Sequence, residues 1–157
     1  MDTALTRYPT SNAERHNMPE LPEVETIRKA LRSRAQGLSF MKIETFIPSL
    51  RYPIDALTKV KALIGSPITD VRRRGRYLIV ELANRQALII HLGMSGRLRV
   101  VPTDKVKLKH DHVFFHLSDG ETLRFEDQRR FGFIKICELR APGEEPVGIV
   151  EASLVRP

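Results

Sequence analysis

Short β-rich segments follow one another from residue 41 to residue 137, with little helical pattern between them. The first alternates apolar with polar or mixed positions, and turn-forming residues such as Asp119 and Gly120 separate later ones. The segments lie at residues 41–47, 77–82, 87–92, 97–101, 112–117, 122–125 and 131–137. Because so many short strands have few helices between them, we expect an antiparallel β-sandwich or flattened barrel.

Two stretches show helical spacing instead. Apolar residues recur at three- and four-residue intervals over residues 23–35, after Pro22 and before Gly37. A shorter pattern covers residues 55–64, with Asp55 as N-cap and Gly65 after its end. The sequence therefore predicts a mainly β, α+β domain that is flanked by an N-terminal helix.

Charge is concentrated in one part of the chain, whose 157 residues carry a net charge of +7. Residues 71–99 contain seven arginines and a single acid, Glu81. This segment therefore accounts for almost all of the excess positive charge of the chain. Such a basic stripe suits a polyanion, but it equally suits a solubilising surface. One cysteine, Cys137, excludes an internal disulfide and a cysteine-cluster zinc site, and favours a reducing compartment. No apolar run approaches the ~20 residues of a membrane span, and the N-terminus lacks a signal-peptide pattern.

Five motifs occur in order along most of the chain. They are residues 18–26 (MPELPEVET), 73–78 (RRGRYL), 90–98 (IHLGMSGRL), 109–113 (KHDHV) and 127–132 (DQRRFG). Together they closely resemble the formamidopyrimidine-DNA glycosylase family (Fpg/MutM, with its Nei relatives), in its N-terminal catalytic domain. A single match would be weak, whereas the ordered set is specific.

The resemblance implies base-excision DNA repair by a bifunctional DNA glycosylase/AP lyase that removes oxidised purines, such as 8-oxoguanine and formamidopyrimidines. It makes Pro19 the nucleophile, Glu20 the acid/base and Glu23 a residue that orients the site. An N-terminal amine has a pKa of about 8, and the Schiff base of a secondary amine is a cationic electron sink. Since seventeen residues and Met18 precede Pro19, we expect either that Met18 is the true start or that the leader is removed.

Three further residues are implied to fill the gap left by an everted nucleotide. In the family pattern Met94 is the apolar wedge that enters this gap, and Arg129 contacts the orphaned base. Phe131 is the stacking residue next to them. Nucleotide flipping costs a few kcal/mol of unstacking, which an apolar wedge and an arginine can offset. Glycines at positions 93, 96 and 132 indicate that these side chains lie on loops rather than in the core.

Phosphate contacts are implied at Arg76 and His91, around the flipped nucleotide. The family usually has lysine where this chain has Arg76, a position that the resemblance also implies in catalysis. The guanidinium of arginine binds phosphate through two N–H groups, whereas the ammonium of lysine acts as a point charge. His110 and His112 could suggest a metal pair, but no third ligand is near them in the sequence. We interpret them as structural or phosphate-binding histidines, with His110 as a DNA contact.

The predicted organisation is a disordered leader at residues 1–17, the catalytic domain at residues 18–139 and a truncated linker or tail at residues 140–157. No segment of this sequence matches the family's helix–two-turn–helix module or its zinc finger. Because the zinc of the family belongs to that finger, we expect no metal or other cofactor in this chain. The expected partner is double-stranded DNA with damaged bases, and we expect a monomer in the cytoplasm, near the nucleoid, without membrane contact. Two alternatives stay open: a catalytically inactive DNA-binding remnant, and a β-sandwich that binds acidic partners. Lesion preference also stays open.

Overall fold

Two antiparallel β-sheets dominate the computed structural model, which describes residues 3–4, 21–54 and 56–146. The strands in this part are β1 (Thr3–Ala4), β2 (Phe40–Thr45), β3 (Ile68–Arg74), β4 (Tyr77–Leu82), β5 (Gln86–His91), β6 (Gly96–Pro102), β7 (Asp111–Leu117), β8 (Glu121–Asp127) and β9 (Phe133–Glu138). One sheet has the order β1-β6-β8-β7-β2 and the other β3-β4-β5-β9. The predicted mainly β fold is confirmed, as two sheets that do not close into a barrel.

The core lies between the two sheets, because alternate apolar side chains of both point towards each other. Its members include Leu78 and Ile90 from one sheet and Val113 and Phe125 from the other. A second apolar cluster covers the opposite face of β4, β5 and β9, and Tyr52 packs against it. With both faces covered, β4 is buried along its whole length, which explains its continuous apolar sequence.

Two helices flank the sheets, as the sequence predicts. Helix α1 (Leu21–Ala35) buries Val24, Ile27, Leu31 and Ala35 in the main core, at the spacing of one helix face. Helix α2 (Ala56–Leu63) occupies the second predicted stretch, and Asp55, the predicted N-cap, lies outside the described residues. No helix in the described ranges has the length and apolar character needed to cross a bilayer.

Three segments differ from the sequence prediction or extend it. Strand β3 was not predicted, because its consecutive arginines hide an edge strand in which only Ile68 and Val71 are buried. The last strand begins at Phe133 rather than at residue 131, so that residues 128–132 form a loop. Within the predicted leader, β1 pairs with the edge of β6, and residues 1–2 and 5–17 lie outside the described residues.

Part of the predicted tail packs against the second sheet. Leu139, the last residue of the predicted domain, is buried, and in the tail the Gly143 N–H donates to both carboxylate oxygens of buried Glu81 at 3.0 Å. Arg72 donates to the same carboxylate and to the carbonyl of Glu144. Residues 140–146 are therefore held along the sheet, and residues 147–157 lie outside the described part.

Candidate nucleic-acid interface

Two loops lie side by side at one end of the sandwich, and we call them the paired loops. Residues 92–95 connect β5 to β6, and residues 128–132 connect β8 to β9. Each loop crosses from one sheet to the other. Since β5 pairs with β9 through His91 and Phe133, and β6 pairs with β8 through Gly96 and Asp127, both crossings occur at the same place.

Glycine lets the paired loops touch through their backbones. A Cβ atom at Gly93, whose φ is +61°, would lie 2.6 Å from the Gly132 nitrogen and from the carbonyl carbon of Phe131. A Cβ atom at Gly132 would lie 2.5 Å from the His91 oxygen. Any other residue at either position would push the loops apart, so the glycines of the two motifs set the distance between the loops.

The buried carboxylate of Asp127 holds both loops. Its Oδ1 accepts hydrogen bonds from the Ser95 hydroxyl (2.6 Å) and the Arg130 N–H (3.1 Å), and its Oδ2 accepts one from the Gly132 N–H (2.9 Å). The Ser95 oxygen in turn accepts the Arg129 N–H at 3.0 Å. Sequence analysis placed Asp127 in a motif but gave it no role, because its partners lie on two separate segments.

The three predicted DNA-inserting side chains all lie on the paired loops. Met94 is half-buried, whereas Arg129 and Phe131 are exposed, with 43% of Phe131 accessible to solvent. The guanidinium of Arg129 lies 5.0 Å from the centroid of the Phe131 ring. The paired loops thus carry an apolar side chain, an aromatic ring and a cation.

His91 ends β5 directly below the loops. Its ring is stacked on Phe133 at a centroid distance of 5.2 Å, and only 6% of the residue is exposed. Its Nδ1 accepts the Gly93 N–H at 2.9 Å, which assigns the ring proton of the neutral form to Nε2. Burial, followed by the positive charges of Arg51 and Arg76, lowers the pKa of His91 to about 4. At neutral pH the ring is therefore an uncharged N–H donor.

Two arginines, Arg51 and Arg76, act on this imidazole through their positive charges. Arg76, predicted to contact phosphate, is exposed in the turn between β3 and β4. Arg51 was missed by the sequence analysis, since it lies outside the five motifs and in no periodic segment. Its N–H donates to the Gly132 oxygen at 3.1 Å, which places it beside the second of the paired loops.

The N-terminal part of α1 is tied to the basic strand β3. Glu25 accepts two hydrogen bonds from Arg28, both at 2.8 Å, and one from Arg73 at 3.1 Å. These bonds, that of Arg28 first, lower the pKa of Glu25 to about 2. Glu23 is half-buried in the first turn of the helix. The predicted catalytic residues Pro19 and Glu20 lie outside the described residues.

The two predicted strand-end histidines contact Asp127, the last residue of β8 before the second of the paired loops. Buried His112 has its Nε2 atom 2.8 Å from the carbonyl oxygen of Asp127, and the His110 carbonyl accepts the Asp127 N–H at 3.0 Å. His110 itself is half-buried. His112 is thus a structural support of the site. Within the described ranges, no group of three or more histidine, cysteine, aspartate or glutamate side chains is placed to hold a metal ion.

Comparison with known proteins identifies a family that matches most of the chain. A family model described as the formamidopyrimidine-DNA glycosylase N-terminal domain matches residues 18–134. The formamidopyrimidine-DNA glycosylase of Rickettsia bellii (strain OSU 85-389) is 47% identical over 117 residues, which are 74% of this chain and 42% of that protein. That of Laribacter hongkongensis is 42% identical over 130 residues, or 83% of this chain and 47% of the relative.

Solved structures give the same result. The Lactococcus lactis Fpg in complex with abasic-site-containing DNA superposes with a TM-score of 0.69 at 36% identity, over 76% of this chain and 44% of that one. A MutM complex with DNA that contains carbocyclic 8-oxo-G has the same TM-score at 37% identity. The chain spans less than half the length of each of these relatives. It belongs to the formamidopyrimidine-DNA glycosylase family, whose N-terminal domain it matches.

Proposed function

We propose that this chain recognises damaged bases in double-stranded DNA and excises them, as the catalytic part of a base-excision glycosylase. The observation that carries the proposal is the pair of backbone-contacting loops, whose residues include Met94 on one loop and Arg129 and Phe131 on the other. An apolar wedge beside an arginine is suited to replace an extruded nucleotide in the base stack, where unstacking costs a few kcal/mol. Five of the seven arginines in residues 71–99 are paired with acids, such as Arg72 with Glu81, whereas exposed Arg76 supplies attraction for the backbone.

The substrate class we propose is oxidised purines, with 8-oxoguanine and formamidopyrimidines as its members. The support comes from relatives: one Lactococcus lactis Fpg complex contains Fapy-dG DNA, and a MutM complex contains carbocyclic 8-oxo-G DNA. The proposed domain spans residues 18–139 and needs no metal or other cofactor of its own.

For the chemistry we propose a Schiff-base route through Pro19. Its free secondary amine attacks C1′ of the damaged nucleotide, and the bond from C1′ to the base breaks. The resulting iminium withdraws electrons while the sugar–phosphate bond is cleaved. Glu20 exchanges protons with the sugar and the leaving group, Glu23 orients the site, and Arg76 and His91 hold the neighbouring phosphates. This route requires that residues 1–18 be absent from the active protein.

Borohydride trapping tests the catalytic proposal. A chain that begins at Pro19 should form a covalent adduct with an 8-oxoguanine duplex, whereas the chain of residues 1–157 should not. Mass determination of the native N-terminus shows which form exists. Absence of an adduct from the Pro19 form, under conditions in which a full-length relative traps well, would overturn the catalytic role.

The second candidate is a DNA-binding remnant without catalysis. It is favoured by the position of Pro19 behind eighteen residues of chain, where its nitrogen is a tertiary amide. Preference for lesion-containing over undamaged duplex, without adduct formation, would select this candidate. In either case Met94→Ala should reduce that preference, and Met41→Ala, on an exposed methionine of β2, is the matched control. Equal effects of the two variants would contradict the proposed wedge.

A further inference from the structure

We propose that the loop between β6 and β7, residues 103–110, is a second DNA-contacting element, in which Lys107 and Lys109 bind backbone phosphates of the duplex beside the lesion. We call this segment the lysine loop. The inference rests on the proposed function and deepens it, because it adds a contact with the same partner. The sequence analysis gave neither lysine a role.

The lysine loop returns to the end of the sandwich that carries the paired loops. Strand β6 starts at that end, where Gly96 pairs with Asp127, and runs away from it. Strand β7 begins at Asp111, opposite Glu126, so the loop travels back along the sheet before it enters β7. The carbonyl of His110, the last loop residue, accepts the Asp127 N–H at 3.0 Å. The second half of the lysine loop therefore adjoins the residue that holds the paired loops.

A buried arginine fixes the backbone of the lysine loop. Arg124 on β8 is fully buried, and its guanidinium donates to the carbonyl oxygens of residues 103, 105 and 106 at 3.4, 2.6 and 3.1 Å. The Leu108 N–H donates to Oδ2 of buried Asp111 at 2.8 Å. While these peptide groups are bound to the sheet, the side chains of residues 103–109 are all exposed. A fixed backbone reduces the entropy that is lost when these side chains bind a ligand.

Aromatic packing holds Lys107 at the same end of the sandwich. Its Nζ atom lies 4.9 Å from the centroid of Phe46, whose ring packs against that of Phe114 at 4.8 Å. The Phe46 N–H donates to the carbonyl of His112, the second residue of β7, at 2.9 Å. The same Nζ donates to the Leu108 oxygen at 3.2 Å. Because an ammonium group has three donors, Lys107 keeps two for a ligand.

Neither lysine is neutralised within the described part of the chain, where no carboxylate lies within ion-pair distance of Lys107 or Lys109. By contrast, Arg97 and Arg99 of β6 are both paired with Glu126. The Cα atoms of the two lysines are at most about 7 Å apart, since two residues separate their positions. A DNA strand carries a phosphate at every ~3.4 Å of the helix axis, so one stretch of backbone can meet both ammonium groups.

An acidic protein segment is the other ligand that this surface suits, because Val106 and Leu108 beside the lysines are exposed, Val106 by 78%. The position of the loop favours DNA. A duplex whose base stack receives the paired loops has its backbone on either side of them, and the lysine loop adjoins them through Asp127.

Salt-dependent binding of the full 157-residue chain to a duplex with a tetrahydrofuran abasic analogue tests this inference. In Lys107→Gln and in Lys109→Gln, the slope of log K against log salt should fall in magnitude by about 0.9, the value for one phosphate contact. If the lines of variant and wild type meet near ~1 M salt, binding at about 0.1 M is roughly eightfold weaker. The double variant should lose about 1.8 of the slope. Lys107→Arg should keep the wild-type slope, because it retains the charge.

The matched control is Lys61→Gln. Lys61 is an exposed lysine in the last turn of α2. Just after that helix, Ile64 bridges to Phe40, which pairs with Leu117 at the end of β7 farthest from the lysine loop. The slope of Lys61→Gln should therefore equal that of the wild type. All these lysines are exposed, so thermal unfolding should change by less than ~2 °C in each variant, which excludes misfolding as the cause of weaker binding.

Lesion preference separates this inference from the proposed function. Phosphate contacts position a protein without recognising bases, so each lysine variant should bind lesion-containing and undamaged duplex more weakly by the same factor. Slopes of both variants equal to that of Lys61→Gln would overturn the DNA contact and leave the proposed function intact. Weaker binding of a polyglutamate peptide by the same variants would then indicate an acidic protein partner. A wild-type chain without lesion preference would instead overturn the proposed function, whether or not the slopes change.

Discussion

Replacement of Asp127 by asparagine should destabilise the domain by about 3 kcal/mol, because its buried carboxylate accepts three hydrogen bonds from the paired loops. An asparagine side chain keeps only one oxygen, so in either orientation its NH₂ group faces a backbone N–H, that of Arg130 or that of Gly132. One buried donor without an acceptor costs about 1–3 kcal/mol. The remaining bonds lose the charge of their acceptor, which costs about 1 kcal/mol more.

Thermal unfolding measures this loss. At about 3 °C per kcal/mol for a domain of this size, Asp127→Asn should melt about 9 °C below the wild type. The matched control is Asp104→Asn, which makes the same chemical change at an exposed position and should shift the melting temperature by less than ~2 °C. The preference for lesion-containing duplex should fall in Asp127→Asn alone. If the two variants melt at the same temperature, the carboxylate does not organise the loops and this reasoning is wrong.

Further predictions concern the glycine contact and the two perturbed titrations. Gly93→Ala should lower the free energy of unfolding, measured in urea, by at least ~2 kcal/mol more than Gly120→Ala does. Both glycines have positive φ, but only at Gly93 would the added Cβ lie 2.6 Å from backbone atoms. Equal losses in the two variants would refute the contact between the loops. Since the pKa of His91 is lowered to about 4, the unfolded state binds its proton first as the pH falls. Stability should therefore drop by about 3 kcal/mol between pH 6.5 and pH 4, and unfolding curves of His91→Phe should lack this part of the dependence. Glu25 has a pKa lowered to about 2, so its stabilisation is complete above pH 4.5 and lost towards pH 2. Glu25→Gln should be less stable than the wild type at pH 7, and a difference that stays constant down to pH 2 would contradict this.

Most of the fold follows from local patterns. Helix α1 is visible in the spacing of Val24, Ile27 and Leu31, and the central strands are visible as short apolar runs between turns. Strand β3 escaped prediction, since it ends in three arginines that are paired with acids of other segments, and only Val71 and Ile68 mark its buried side. The partners of these arginines lie on other segments, so periodicity along the chain does not reveal the strand.

The site was predictable only in part. Four of the candidate site residues lie in the motifs, and the resemblance of these motifs to the family was enough to predict them. They are Met94, Arg129, Phe131 and His91. Arg51 belongs to no motif and has no periodic position, so that nothing in the sequence connects it with His91. The connection is made by the packing of Tyr52 on Phe133, a contact between segments about eighty residues apart.

The sequence by itself determined which short segments become strands and helices, where glycines permit tight turns, and which side chains with DNA-binding chemistry the loops carry. These properties are local, because they depend on neighbours within a few residues. Only the tertiary structure decided that the loops at residues 92–95 and 128–132 touch, since this depends on β5 pairing with β9 and β6 with β8. It also decided that His91 is an uncharged donor, because the burial that lowers its pKa is a property of the packed sheets.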